Sequence, residues 1–212
     1  MTGGLNATVN AATGVNIGAA GLGGYVVTVP VGLGPIGGAT VNVGGVTNAG
    51  GVGILASAVL GFANVSTAST SQINAGLAGI IANSLFNSTV SQGGPINAGG
   101  AGIIASVVGV PSAISKVSVS VGGQIIAGGD GVIVNSVFSD ASVRVNSSIN
   151  ASAGNGVLFN AASGGTVSAV VNAKIQAATN AINVNAAGSA SDVSLVLQNA
   201  GSLPGRRRCH LR

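Results

Sequence analysis

The chain has 212 residues, of which 47% are hydrophobic, 37 are glycine and only 5% carry a charge. This composition excludes a highly charged disordered chain, because disorder of that kind needs low hydrophobicity. The net charge of +4 belongs to a terminal segment that holds four arginines, Arg206, Arg207, Arg208 and Arg212. The remainder is neutral, so we predict no specific nucleic-acid partner.

The apolar runs are too short to cross a membrane as a helix. Asn, Ser, Thr or Gly interrupts them every few positions, as in residues 41–45, whereas a spanning helix needs about 20 mainly apolar residues. The start "MTGGLNATVN" has neither a basic nor an apolar signal region, so no signal peptide is predicted. The single cysteine, Cys209, excludes an internal disulfide framework.

A degenerate phrase of about twelve residues recurs along the chain. Its copies are "VNAATGVNIGAA" from Val9, which is the weakest, then "VTNAGGVGILAS" from Val46, "INAGLAGIIANS" from Ile73, "INAGGAGIIASV" from Ile96, "IIAGGDGVIVNS" from Ile125, "INASAGNGVLFN" from Ile149 and "IQAATNAINVNA" from Ile175. The steps from Val46 onward are 27, 23, 29, 24 and 26 residues. A repeat of this length is typical of solenoid proteins.

Each unit has the same order of elements. A short extended piece such as Ile96–Ala98 is followed by a glycine turn, a second apolar piece such as residues 102–105, and a variable stretch. Most units close on strict alternation of apolar and polar residues, as in Lys116–Val121, residues 142–146 and residues 192–197. Alternation of this kind predicts half-buried β-strand, and the abundance of glycine and β-branched residues disfavours helix.

Three strands per unit predict an all-β fold, a parallel β-helix of six to seven coils of roughly 26 residues. The coils would stack about 4.8 Å apart into a rod roughly 30 to 35 Å long. We expect a lead-in at 1–8, the repeat domain at 9–203 and a basic, disordered tail at 204–212. Variation in unit length is expected between the second and third strands. Asn74, Asn97 and Asn150 are predicted to stack as an amide ladder.

The "INAGGxGI" phrases, together with "VxVxV" strands and uncharged turns, resemble the right-handed parallel β-helix passenger regions of bacterial autotransporters. They are less similar to filamentous haemagglutinin-type exoproteins. The resemblance covers residues 9–203 and implies display on a bacterial cell surface or secretion, with roles in adhesion, aggregation or carrying other domains. Family members also carry an export signal and a membrane-embedded C-terminal domain. Neither is visible here, so we expect a passenger fragment or the product of a truncated or frameshifted gene.

The few ionisable groups offer little for catalysis. Acid–base cleavage of a sugar needs paired carboxylates, and only Asp130, Asp140 and Asp192 are present. Asp130 and Asp140 are predicted to be turn residues. The stretch "AGGDGVIVN" lacks the repeated aspartates of a calcium-binding solenoid turn. No catalytic residue, metal ligand or cofactor site is therefore assigned.

Two further motifs are weak. Gly32, Gly34 and Gly37 match a dinucleotide-binding spacing, but no helix pattern or ribose-binding acid follows them. Cys209 and His210 have no visible partner to orient them as a nucleophile or metal site. Two further residues, Phe86 and Phe138, are expected to pack in the core or in turns, or to form an exposed pair at a contact surface.

The sequence thus favours a non-catalytic structural or adhesive surface module. Its expected partners are cell-surface or carbohydrate ligands, or further copies of the chain bound through the coil ends. Two alternatives remain open, a polysaccharide-cleaving β-helix enzyme and a self-assembling, amyloid-like surface protein.

Overall fold

The computed structural model describes residues 7–11, 16–19, 23–29, 37–109, 115–187, 192–198 and 209–211. All regular elements in these ranges are β-strands, which confirms the predicted all-β class. The same ranges contain no helix long and apolar enough to cross a membrane.

The strands form three parallel sheets, with eight, seven and eight strands. Sheet 1 contains Ala7–Ala11, Gly37–Val43, Gly61–Thr67, Asn87–Gln92, Lys116–Val121, Asp140–Val145, Val167–Val171 and Val193–Leu197. Sheet 2 contains Asn16–Ala19, Val46–Ala49, Gln72–Ala75, Ile96–Ala98, Ile125–Ala127, Ile149–Ala151 and Ile175–Ala177. Sheet 3 contains Gly23–Val29, Val52–Ala58, Ile80–Ser84, Ile103–Val107, Val132–Val137, Val157–Ala162, Ile182–Ala187 and Cys209–Leu211.

The chain visits sheets 1, 2 and 3 in turn and then begins the next coil, so strands adjacent in a sheet come from successive coils. This arrangement confirms the predicted parallel β-solenoid of six to seven coils, each of about 25 residues. The right-handed winding implied by the resemblance stays a prediction, in line with the usual hand of parallel crossovers.

The core is a narrow column of small apolar side chains inside the coils. Alternate residues of each strand point inward, as in Lys116–Val121, where Val117, Val119 and Val121 are buried. Isoleucines that open the sequence repeats stack in register in sheet 2, Ile73 on Ile96 and Ile96 on Ile125. Stacking therefore buries an inward face that a single coil could not bury alone.

Glycines make room for these isoleucines. In five successive coils, a glycine at or just before the start of the sheet 3 strand lies against Cγ2 of the isoleucine that enters sheet 2 one coil later. The pairs are Gly53 with Ile73, Gly79 with Ile96, Gly102 with Ile125, Gly131 with Ile149 and Gly156 with Ile175. The repeated phrase thus encodes a contact between neighbouring coils.

Variation in coil length falls mainly where the sequence predicts it, between sheet 3 and the next sheet 1 strand. Ile103–Val107 and Lys116–Val121 are joined by residues 108–115, of which 110–114 lie outside the described residues. Other connections at this corner are as short as the two residues between Ile80–Ser84 and Asn87–Gln92. Insertions are accommodated there without disturbing the strand register.

Both ends of the chain contribute strands. Ala7–Ala11 pairs with Gly37–Val43 at one end of sheet 1. Cys209–Leu211, from the predicted tail, pairs with Ile182–Ala187 in sheet 3. Residues 1–6, 199–208 and 212 lie outside the described part of the chain.

Candidate binding surface

An amide ladder runs along the outer face of sheet 2. Asn74 donates a hydrogen bond from Nδ2 to Oδ1 of Asn48 at 2.7 Å, and Asn97 donates to Oδ1 of Asn74 at 3.0 Å. Gln72 also donates to Oδ1 of Asn74, at 3.3 Å. Parallel pairing in register holds these side chains one above the other, because each belongs to the same position of its strand.

The ladder includes Asn74 and Asn97 as predicted, but the prediction is wrong for Asn150. Ile126 stands between Asn97 and Asn150 in the sheet 2 register, so the column of amides is interrupted. An asparagine side chain has two donor hydrogens and two acceptor lone pairs. Asn97, as the last rung, therefore keeps its carbonyl oxygen and one N–H for water or a ligand.

A shallow open groove follows this ladder; we call it the amide groove. It is lined by Asn48, Asn74 and Asn97, by Gly50, Gly76 and Gly99, and at one end by Ile126. A Cβ on Gly76 would lie 2.0 Å from the Gly50 carbonyl oxygen, and one on Gly99 would lie 2.3 Å from that of Gly76. Only glycine fits this close stacking, so no side chain fills the groove at these positions.

Further ladders on other faces were missed at the sequence level. On sheet 3, Asn160 donates to Asn135 at 2.9 Å and Asn185 donates to Asn160 at 3.0 Å. After sheet 1, Asn172 donates to Asn146 at 2.8 Å. The signal for the sheet 3 ladder was an asparagine that recurs after the second apolar piece of the last three units.

The outer face of sheet 1, which also carries Lys116, Asp140 and Arg144, presents a second polar surface that we call the hydroxyl face. One outward column consists of small polar residues in successive coils, namely Thr40, Asn64, Thr89, Ser118, Ser142 and Ser168. All of these residues are exposed or half-buried. Strand pairing repeats their polar groups about every 4.8 Å along the rod.

The two carboxylates of the fifth and sixth coils brace turns of the coil that follows. Oδ1 of Asp130 accepts hydrogen bonds from the backbone N–H of Asn155 at 2.6 Å and from its Nδ2 at 2.9 Å. Oδ1 of Asp140 accepts from the backbone N–H and Oγ1 of Thr166, at 2.8 and 2.9 Å. Asp130 thus lies in a turn as the sequence predicts, whereas the turn prediction is wrong for Asp140, which is the first residue of the strand Asp140–Val145.

Asp130 and Asp140 do not form a carboxylate pair. They lie at opposite ends of the strand Val132–Val137, which separates them by about 20 Å at the usual rise per residue. Glycoside hydrolysis needs two carboxyl groups within about 5 to 9.5 Å. Asp192 lies in a later coil, just before Val193–Leu197.

The structure gives the remaining sequence candidates no common site. Gly37 begins a sheet 1 strand, whereas Gly32 and Gly34 lie outside the described residues. Cys209 and His210 belong to a described strand, but their side chains do not belong to the described part of the structure. In the described residues, no three His, Cys, Asp or Glu side chains come together as a metal site.

The two phenylalanines that share a position in their units both lie in turns. Phe86 is half-buried and Phe138 is 39% exposed, with a left-handed backbone at φ 54°. Both are therefore turn residues, one of the positions expected for them, and Phe138 is exposed rather than packed. The phenylalanine in the core is Phe159, which is fully buried.

No known family model, no characterised protein sequence and no solved structure matches the chain. The class of protein is therefore defined here by the fold and the surface chemistry. The chain is a parallel β-solenoid whose described outer faces present mainly uncharged amide and hydroxyl groups.

Proposed function

We propose that the chain is a non-catalytic structural and adhesive module, displayed on a bacterial cell surface or secreted, and that its amide groove binds neutral carbohydrate. The observation that carries this proposal is the open groove along three asparagine rungs, where Asn97 keeps its carbonyl oxygen and one N–H for a ligand. The resemblance to autotransporter passengers supports the location.

The chemistry of the amide groove favours a neutral ligand with many hydroxyl groups. No charged residue lines the groove, so the groove attracts neither anions nor cations. Amide N–H and C=O groups hydrogen-bond sugar hydroxyls in either direction. The side chain of Ile126, which is 44% exposed, supplies an apolar patch beside the last amide for the C–H face of a sugar ring.

The geometry of the amide groove favours an extended ligand. Successive rungs lie about 4.8 Å apart, so the groove runs along the rod axis with a repeat close to the length of one pyranose unit. A polymer lying along the ladder would meet equivalent groups at each of the three asparagine rungs. Individual contacts of this kind are weak, and affinity would come from several of them acting together.

The test is retention of the purified chain on insoluble neutral polysaccharides such as cellulose, chitin and mannan, with acidic polysaccharides in parallel. Asn97→Leu keeps the branched shape of the side chain and removes the amide. We expect it to weaken retention on the neutral polymer by about tenfold, as for loss of about 1.4 kcal/mol. Release of reducing sugar is measured in the same samples, and none is expected.

The matched control is Thr89→Val on the hydroxyl face, which removes one exposed hydroxyl with little change of shape. Retention should be unchanged in this variant. Equal binding by Asn97→Leu and the unsubstituted chain would contradict the groove as the site. Retention lost only in Thr89→Val would assign adhesion to the hydroxyl face instead. Binding to none of the polymers would refute the adhesive part of the proposal.

A further inference from the structure

In the part of the chain that the structure describes, each end of sheet 1 is a strand whose outer edge has no partner strand. Within the described ranges, Ala7–Ala11 pairs only with Gly37–Val43, and Val193–Leu197 pairs only with Val167–Val171. An open strand edge presents unpaired backbone N–H and C=O groups and is a template for another strand.

The backbone hydrogen bonds between the last two strands of sheet 1 fix which backbone groups face the open edge at the C-terminal end. Val167 donates its N–H to the carbonyl of Asp192 at 2.8 Å, and Gln198 donates to the carbonyl of Val171 at 2.9 Å. In a strand, the N–H and C=O of one residue point to the same side, and the side alternates from residue to residue. The odd-numbered residues Val193, Leu195 and Leu197 therefore direct their backbone groups outward from the sheet edge.

The same residues continue the inward-facing columns of the core. Val193 stacks on Val167 and Leu197 on Val171. Val167 and Val171 are 2% and 7% exposed, whereas Val193 and Leu197 are 38% and 52% exposed. The core thus ends in uncovered apolar side chains. At the other end of sheet 1, Val9 stacks on Val41 and is half-buried.

The two terminal strands are complementary. Both place apolar residues inward and mostly polar residues outward. When the strand register is followed through sheet 1, Val9 occupies the same inward column as Leu195, and Thr8 the same outward column as Ser194. Neither strand contains a charged residue or a proline, the features that usually protect an edge. Both run parallel to every other strand of the sheet.

We infer that a second copy of the chain adds its Ala7–Ala11 to Val193–Leu197 of the first, so that sheet 1 continues in parallel from one molecule into the next. The contact joins two different surfaces, and each added copy presents a new free end. Such a head-to-tail contact produces open filaments rather than closed dimers. This inference is independent of carbohydrate binding, which uses the side of the rod.

The experiment measures polymer size against concentration by sedimentation velocity, with negative-stain electron microscopy of the same samples. The full chain is expected to form unbranched filaments one solenoid wide. Leu197→Lys places a charge on the open end, and we expect it to weaken association at least about tenfold. The matched control is Leu77→Lys, since Leu77 is 58% exposed but lies on the side of the rod.

A second variant, Leu195→Pro, removes an edge-facing N–H without removing a hydrogen bond to Val167–Val171. It should also block growth, and circular dichroism of each variant checks that the β-fold is retained. Mixing separates head-to-tail contact from symmetric contact. Val9→Lys alone and Leu197→Lys alone should remain monomers, whereas their mixture should form dimers and no longer species.

Three outcomes would overturn the inference. The full chain could remain monomeric at every concentration. Folded Leu197→Lys and Leu195→Pro could polymerise as well as Leu77→Lys. Val9→Lys could dimerise by itself, which would indicate a symmetric contact between C-terminal ends.

Discussion

Gly102 and Ile125 belong to successive coils, and the isoleucine occupies the space that a side chain at the glycine would need. A Cβ on Gly102 would lie 2.5 Å from Cγ2 of Ile125 and 2.5 Å from the carbonyl oxygen of Gly131. The backbone of Gly102 has an ordinary φ, since it is not among the described glycines with positive φ. The requirement for glycine there is therefore steric.

Gly102→Ala is accordingly expected to lower the free energy of unfolding by about 1 to 3 kcal/mol, the usual cost of overpacking a tight core. The carbonyl of Gly131 cannot move without disturbing the strand that follows it. The matched control is Gly129→Ala, where the nearest atom to the added Cβ lies at 3.5 Å. Chemical denaturation should show Gly129→Ala within about 0.5 kcal/mol of the unsubstituted chain. Equal losses in the two variants would contradict the steric explanation.

The sequence predicts the solenoid well because the fold is local. Ile96–Ala98 and Lys116–Val121 have the predicted bounds, since each strand lies between glycine or polar turns that are visible in the sequence. The contact of Gly102 with Ile125 is harder to predict. It joins two repeat units, and unit lengths that vary from 23 to 29 residues hide which positions face each other.

The amide ladder likewise depends on contacts between repeat units that the sequence alone does not reveal. Asn97 and Asn150 occupy equivalent positions in the repeat, and the sequence predicts that they stack. Whether they touch depends on the residue between them in register, which is Ile126. Predicting a binding surface made from several coils therefore requires the register between strands. Predicting the strands themselves does not.

The amide ladder should contribute measurably to stability. Asn74→Leu removes its hydrogen bonds with Asn48 and Asn97 and the one it accepts from Gln72, and we expect a loss of about 1 to 2 kcal/mol. Asn150→Leu is the control, because it makes the same change at an equivalent position outside the ladder. Chemical denaturation of both variants isolates the ladder, since any change in strand propensity is common to them. If Asn74→Leu lowers the free energy of unfolding no more than Asn150→Leu does, the hydrogen bonds of the ladder add no stability beyond what water would provide.

Asp130 should act as a structural residue. Asp130→Ala leaves the backbone N–H of half-buried Asn155 without its acceptor, and we expect a loss of about 1 to 3 kcal/mol. Asp130→Asn keeps an acceptor oxygen and should lose less. Asp192→Ala, at an exposed position, should change stability by about 0.5 kcal/mol or less. Thermal melts followed by circular dichroism order the three variants, and a neutral Asp130→Ala would contradict the bracing role of the carboxylate.

The largest single loss is expected at Phe159, the largest of the fully buried side chains. Its neighbours in register are Val134 and Val184, one coil away on each side. Backbone hydrogen bonds fix the spacing of the coils, so the core cannot collapse into the space left by Phe159→Ala. We therefore expect a loss of about 3 to 5 kcal/mol. Phe138→Ala, at an exposed turn position with the same chemical change, should alter stability by about 0.5 kcal/mol or less.

The form of the Phe159→Ala transition carries further information. Each coil of a solenoid contacts only its neighbours, so a local loss of this size should uncouple the coils that follow Phe159 from those that precede it. Denaturant unfolding followed by circular dichroism is expected to broaden or divide into two steps in this variant. Hydrogen exchange should then be fastest in Val167–Val171 and Ile182–Ala187 and remain slow in Lys116–Val121. A single, equally steep transition with uniform exchange would show instead that the whole rod unfolds as one cooperative unit.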